Sequence, residues 1–203
     1  MNFLDKQLFF IRVNKAAGTS MHYYLQNNKV PNFSHEIMRK NKEFIYECIK
    51  EPTYIFATMV RNPWARALSS YKFVIRWHYA EYSFEDFLNI PFEELKNLEK
   101  PPYFVYEHTK PQIEYITDQY GKIDYLDHIG KVEKIDETCK WICKTFDIQE
   151  QVPLEHRNTS IGVKSYNSVI KKSTNYRSIY TEKTKKLVAK RFEIDIDTFK
   201  YTF

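Results

Sequence analysis

The chain has 203 residues and 17% aromatic content, the length of one domain that can bury a substantial core. Its formal charge of +5 suits an anionic ligand without demanding nucleic acid. No apolar run approaches the roughly 18 residues of a transmembrane helix.

The opening "MNFLDKQ" lacks the basic-then-apolar order of a secretion signal. Cys48, Cys139 and Cys143 are an odd number of cysteines at non-ligand spacing, and the expectation is buried free thiols in a reducing cytoplasm. Asn158-Thr159-Ser160 matches a glycosylation acceptor but carries little weight without a signal.

The apolar run Leu8–Val13 predicts a first strand. It stops at Asn14-Lys15, the small and hydroxyl residues "AAGTS" follow, and the amphipathic "MHYYL" then predicts a helix over Gly18–Asn27. In a parallel α/β unit such a turn lies at the carboxyl edge of the sheet, where ligands bind. The first N–H groups of the helix attract an anion, and Lys15, Thr19 and Ser20 add a charge and two hydroxyls. Gly18 permits close approach of the backbone. The competing reading is an ordinary strand–helix turn with a surface lysine. The nucleotide-kinase loop is a different pattern, because there the lysine follows the last glycine, whereas Lys15 precedes Gly18 by three residues.

Tyr54–Val60, "YIFATMV", reads as a strand covered on both faces. Arg61 follows it, and Asn62-Pro63 opens a helix over Pro63–Trp77, with proline in the first turn where its missing N–H does no harm. Arg61 can grip a phosphate with two hydrogen bonds, and Ser69, about two turns on, can complete the shell. Salt bridges for Arg61 and Arg66 are the alternative. Ser83 with Asp86 predicts the capped start of a short helix. Pro91–Pro111, with four prolines, reads as a long surface connection. Tyr125–Val132 predicts a third strand, Asp136–Phe146 a helix, and Glu182–Phe192 a last helix capped by Thr181. The alternation argues for an α/β fold, one domain over residues 1–203 with a central parallel sheet flanked by helices.

"VNKAAGTS" followed by "VRNPWARALSSY" resembles the paired signatures of the sulfotransferases, whose first loop is often written P-K-T-A-G-T-S and whose second is R-x-P-x-x-R-x-x-S-x-Y. The resemblance is nearest to the branch that sulfates heparan and chondroitin glycans. It continues weakly through "HIGKVEKIDETCKWICKTFDI", "HRNTS" and the terminal "FEIDIDTFKYTF". Asn14 stands where the family usually has proline, and Ala16 where it has threonine. The resemblance implies a P-loop-like sulfotransferase fold. It also implies 3′-phosphoadenosine 5′-phosphosulfate as donor, adenosine 3′,5′-bisphosphate as product, and a hydroxyl acceptor, above all a glycan. Carried over, Lys15, Ala17, Gly18, Thr19 and Ser20 would hold the 5′-phosphosulfate, and Arg61 and Ser69 the 3′-phosphate. Arg157 and Thr159, in "LEHRNTS", would belong to a late loop closing over the nucleotide. Lys15 would also neutralise the oxygen that leaves sulfur. No metal is expected, because sulfate carries less charge than a phosphate monoester and no His/Cys/Asp cluster has metal spacing.

The acceptor hydroxyl needs a base. His35 lies between the two loops, where the glycan branch places its catalytic residue, and Glu36 and His78 follow it in order of preference. His22 and His128 read as structural, as does Glu133. The basic stretches Lys171-Lys172 and Lys183–Arg191 read as solvated surface rather than an acceptor site. Two other classes stay open at this level: a P-loop-type kinase, and a noncatalytic nucleic-acid-binding module.

Overall fold

In a computed structural model of the chain, the described residues are 6–30, 33–36, 46–74, 82–97, 102–154 and 175–203. In chain order the elements are β1 (Gln7–Ile11), α1 (Gly18–Asn27), β2 (Ser34–Glu36), β3 (Tyr54–Val60), α2 (Pro63–Val74), α3 (Phe84–Asn89), α4 (Phe92–Asn97), α5 (Pro102–Thr109), α6 (Ile113–Ile116), β4 (His128–Lys131), α7 (Ile135–Phe146), α8 (Glu182–Arg191) and α9 (Glu193–Phe199). Short 3₁₀ turns cover Val132–Lys134 and Tyr176–Ile179. The chain divides into two compact units, Met1–Val60 with Gln112–Asn158, and Arg61–Pro111 with Thr159–Phe203.

The first unit is built on a parallel sheet in the order β2-β1-β3-β4. Alternation decides which side each residue serves. Leu8 and Phe10 of β1, with Ile55, Ala57 and Met59 of β3, face Met21, Tyr24 and Leu25 of α1 and Ile135, Cys139, Ile142 and Phe146 of α7. Phe9 and Phe56 belong to the opposite set; their rings lie 5.5 Å apart, and Phe56 meets Tyr125 edge-on at 5.3 Å. Burial on both faces is why "YIFATMV" is apolar without alternation. Thr58 is wholly buried, and its hydroxyl is satisfied by donating to the Ile11 carbonyl at 2.9 Å. Asp127 clamps the sheet: its carboxylate accepts from the Phe56 N–H at 2.8 Å and its own N–H donates to the Phe56 carbonyl at 2.9 Å.

The parallel α/β architecture agrees with the sequence reading, and the strand count differs. Ser34–Glu36 forms an additional strand, its register pairing Phe10 with His35. The Tyr125–Val132 prediction contracts to His128–Lys131. Buried Asn28 ties the end of α1 down, its side-chain oxygen accepting from the N–H groups of Gln151 and Val152 at 2.6 and 2.9 Å.

The second unit is helical around a core that includes Trp64, Leu68, Tyr71, Phe84, Phe87, Leu95, Val105, Val188 and Phe192. Asn62 caps α2 by accepting from the Trp64 N–H at 3.1 Å, and Pro63 occupies the first turn as predicted. α2 is described to Val74, and the predicted extension to Trp77 lies outside the described residues. The capping boxes at Ser83 and Thr181 are both present. Pro91–Pro111 is not a surface connection. It carries α4 and α5, whose Leu95 and Val105 are buried. Pro91, Pro102 and Pro111 stand before or at helix starts, where no intrahelical N–H is needed.

Candidate active site

The loop between β1 and α1 has an unusual backbone. Lys15 and Ala17 have φ of 67° and 59°, both in the left-handed region. For residues with a Cβ this conformation costs about 1–2 kcal/mol each. Strain of this kind persists where the surrounding fold imposes it, and it concentrates at binding and catalytic sites. Left-handed residues alternating with right-handed ones turn successive N–H groups to one side, the arrangement of anion-binding nests.

Ala17 is also the N-cap of α1. It has no side-chain acceptor, and no acidic residue occupies the first turn. The contrast with α3 and α8 is informative, since both have complete capping boxes. The helix bonds begin with Met21 N–H to the Ala17 carbonyl at 3.0 Å, so the N–H groups of Gly18, Thr19 and Ser20 precede the intrahelical ladder. Lys15, Ala17 and Thr19 are half-buried, while Gly18 and Ser20 are buried. A helix start without a side-chain cap, beside a lysine, has the polarity that attracts an anion.

Gly18 is needed for space rather than for φ. A Cβ there would stand 2.8 Å from Cγ and 2.9 Å from Nε of Arg12. The close approach therefore comes from a side chain of the protein itself. Arg12 Nη2 also donates to Thr19 Oγ1 at 3.3 Å. In the sequence Arg12 is hidden inside the apolar run of the predicted first strand.

The second loop begins with Arg61, half-buried directly after β3. The two serines of α2 divide their work. Ser70 Oγ donates to the His108 carbonyl at 2.6 Å, and Arg66, one turn earlier, donates to the Lys110 carbonyl at 2.9 Å. Both satisfy carbonyls at the end of α5. Arg66 is thus a buried structural residue, bonded to backbone as well as bearing charge. Ser69 points from a different face of α2 and is half-buried. Lys72, three residues on, shares that side of the helix. Burial lowers the Lys72 ammonium from the ordinary lysine range, and the Arg61 guanidinium adds to the shift. Two cations therefore stand near one another in the second loop and its helix. In the sequence Lys72 resembles any helix-surface lysine, and only its burial sets it apart.

His35 lies in β2, opposite Phe10 of β1, and Glu36 ends the same strand. His78, Arg157 and Thr159 lie outside the described residues, as does Lys171-Lys172. The His22 ring meets Phe33 edge-on at 6.0 Å. His128 stacks on Trp141 at 4.4 Å and shares a 3.1 Å hydrogen bond with Thr138. Glu133 is exposed in the 3₁₀ turn after β4. In α8 the basic residues have local tasks: Lys183 pairs with Glu85 at 2.6 Å, Lys185 lies 4.6 Å from the Phe203 ring, and Arg191 donates to the carbonyls of Leu88 and Ile90. Cys48 and Cys139 are buried free thiols, and Cys143 is half-buried and 3.4 Å from the Tyr24 hydroxyl.

A family model described as the sulfotransferase family matches residues 3–202. The chain belongs to the sulfotransferase family. No curated protein and no solved structure matches it. Membership decides the class of reaction, transfer of a sulfuryl group, over the kinase and nucleic-acid readings. In this sulfotransferase no group of three or more potential metal ligands occurs among the described residues, and no described helix is long and apolar enough to cross a membrane.

Proposed function

We propose that this sulfotransferase takes its sulfuryl group from 3′-phosphoadenosine 5′-phosphosulfate and passes it to a carbohydrate hydroxyl. One observation carries the reading: the β1–α1 loop joins a lysine, two left-handed residues and an uncapped helix start, the features that a terminal phosphosulfate requires. Lys15, Ala17, Gly18, Thr19 and Ser20 hold the 5′-phosphosulfate. Arg61 and Ser69 hold the 3′-phosphate, and Arg157 and Thr159 contribute from the late loop.

When bound, the donor supplies a sulfuryl group on a phosphate leaving group. The protein supplies position and charge, as in phosphoryl transfer. Lys15 and the first N–H groups of α1 stabilise negative charge as it gathers on the leaving oxygen. His35 takes the proton of the attacking hydroxyl. The glycan acceptor is supported by the likeness of both loops to the glycan-modifying branch.

The test is transfer of labelled sulfuryl from this donor to a panel of polysaccharides, oligosaccharides and simple alcohols. Label is expected in a carbohydrate, at a rate unaffected by a metal chelator. Label only in non-carbohydrate alcohols would reject the acceptor, and transfer that requires a divalent metal would reject the metal-free mechanism.

A further inference from the structure

Arg12 stands at the point where β1 runs into the anion loop, and its surroundings are specific. Its aliphatic stem occupies the space that a Cβ on Gly18 would fill, with Cγ at 2.8 Å from that position. Its Nη2 reaches Thr19 Oγ1 at 3.3 Å. The guanidinium is half-buried, and burial lowers its proton affinity. A guanidinium donates and never accepts. The hydrogen bond therefore has one polarity: the Thr19 oxygen accepts, and the Thr19 hydroxyl hydrogen is left to donate elsewhere. Thr19 is in the first turn of α1, beside the N–H groups that face an incoming anion.

We infer that Arg12 is a positioning residue for the donor's 5′ group: it fixes the rotamer and polarity of the Thr19 hydroxyl so that this hydroxyl donates to the 5′-phosphate or sulfate oxygen. Arg12 acts through Thr19 and Gly18 rather than by gripping the nucleotide. The inference rests on the reading of the β1–α1 loop as the 5′-phosphosulfate site. It also accounts for the glycine at position 18, since a larger residue would displace the arginine stem before it disturbed the nucleotide.

Adenosine 3′,5′-bisphosphate and adenosine 3′-monophosphate separate this role from a general structural one, because only the first has a 5′-phosphate. Their dissociation constants are measured by calorimetry on the wild type, Arg12→Ala, Arg12→Lys, Thr19→Val and the Arg12→Ala/Thr19→Val double variant. Arg12→Ala is expected to weaken the bisphosphate by about tenfold, the scale of one lost hydrogen bond, and to leave the 3′-monophosphate within about twofold. Thr19→Val, which leaves Arg12 and the fold in place, is expected to do the same. The double variant is expected to be no weaker than either single one, because both remove the same contact. Arg12→Lys, which keeps a charged donor, is expected to recover most of the loss. Additive losses in the double variant would make Arg12 a direct ligand and overturn the inference. Equal weakening of both nucleotides would make Arg12 purely structural, and unchanged binding in Arg12→Ala or Thr19→Val would remove the role. A wild type that binds the two nucleotides equally would instead overturn the 5′-phosphosulfate reading on which the inference stands.

Discussion

Lys15 is held at a φ of 67° in the loop that leaves β1, a conformation that lysine does not choose for itself. Its proposed task is in the transition state, where the leaving oxygen gains charge. Lys15→Ala should therefore lower kcat by about 10²–10³-fold, the usual scale for one preorganised electrostatic contact, while the dissociation constant of adenosine 3′,5′-bisphosphate rises by a smaller factor. A raised KM at unchanged kcat would make Lys15 a binding residue only. His35 has the complementary task of removing the acceptor's proton. Its loss in His35→Ala should cut kcat by about 10²–10⁴-fold with nucleotide binding nearly intact. The variant should also lose the acidic limb of the pH–rate profile, where the wild-type base is protonated. Near-normal turnover in the variant would move the role to Glu36 or His78. At this scale the loop residues were legible because lysine, glycine and hydroxyls seldom gather where a strand ends. Arg12 was not, because a single arginine inside "LFFIRV" carries no local signal and its meaning comes from Thr19, seven residues on.

Among the elements, β4 and α7 show how tightly the sheet is covered. Gly130 lies under α7, where an added Cβ would collide with the Thr138 hydroxyl and stand 3.2 Å from His128 Nε2. Gly130→Ala should destabilise the fold by about 1–3 kcal/mol in chemical denaturation, the range for overpacking, and an unchanged midpoint would show that α7 yields easily. Burial also lowers the His128 imidazole from its ordinary value. The unfolded chain therefore takes up this proton at a higher pH than the folded one. The contribution is fully present above about pH 6.5 and is lost as pH falls toward the depressed folded value. In His128→Gln the fall in stability between about pH 7 and pH 5 should be shallower than in the wild type. An identical slope would place the acid sensitivity elsewhere. β1, β3, α1, α2, α7 and α8 were readable from apolar runs and caps. β2 was not, since Ser34-His35-Glu36 has no strand composition and pairs only because β1 offers it an edge. The four prolines of Pro91–Pro111 misled for a related reason. Proline marks helix starts as well as loops, and only the burial of Leu95 and Val105 tells the two apart.

For the whole molecule, the family match runs through both compact units, and we read residues 1–203 as one sulfotransferase domain. The parallel order β2-β1-β3-β4 puts β1 and β3 side by side, with β2 and β4 outside them. In open α/β sheets ligands bind at the carboxyl ends of strands where the chain's order reverses, and these two strands lead into the Lys15 and Arg61 loops. The central claim is that the two loops serve the two ends of one nucleotide. Thermal unfolding with adenosine 3′,5′-bisphosphate, 5′-AMP and ATP at equal concentration tests it most directly, because at equal concentration the ligand that binds the folded state more tightly raises the midpoint further. The bisphosphate should give the largest shift. Arg61→Ala should erase most of its advantage over 5′-AMP, a loss of about 1.5–3 kcal/mol for one charge-assisted contact. Equal shifts from all three nucleotides, or a bisphosphate advantage untouched by Arg61→Ala, would contradict the account.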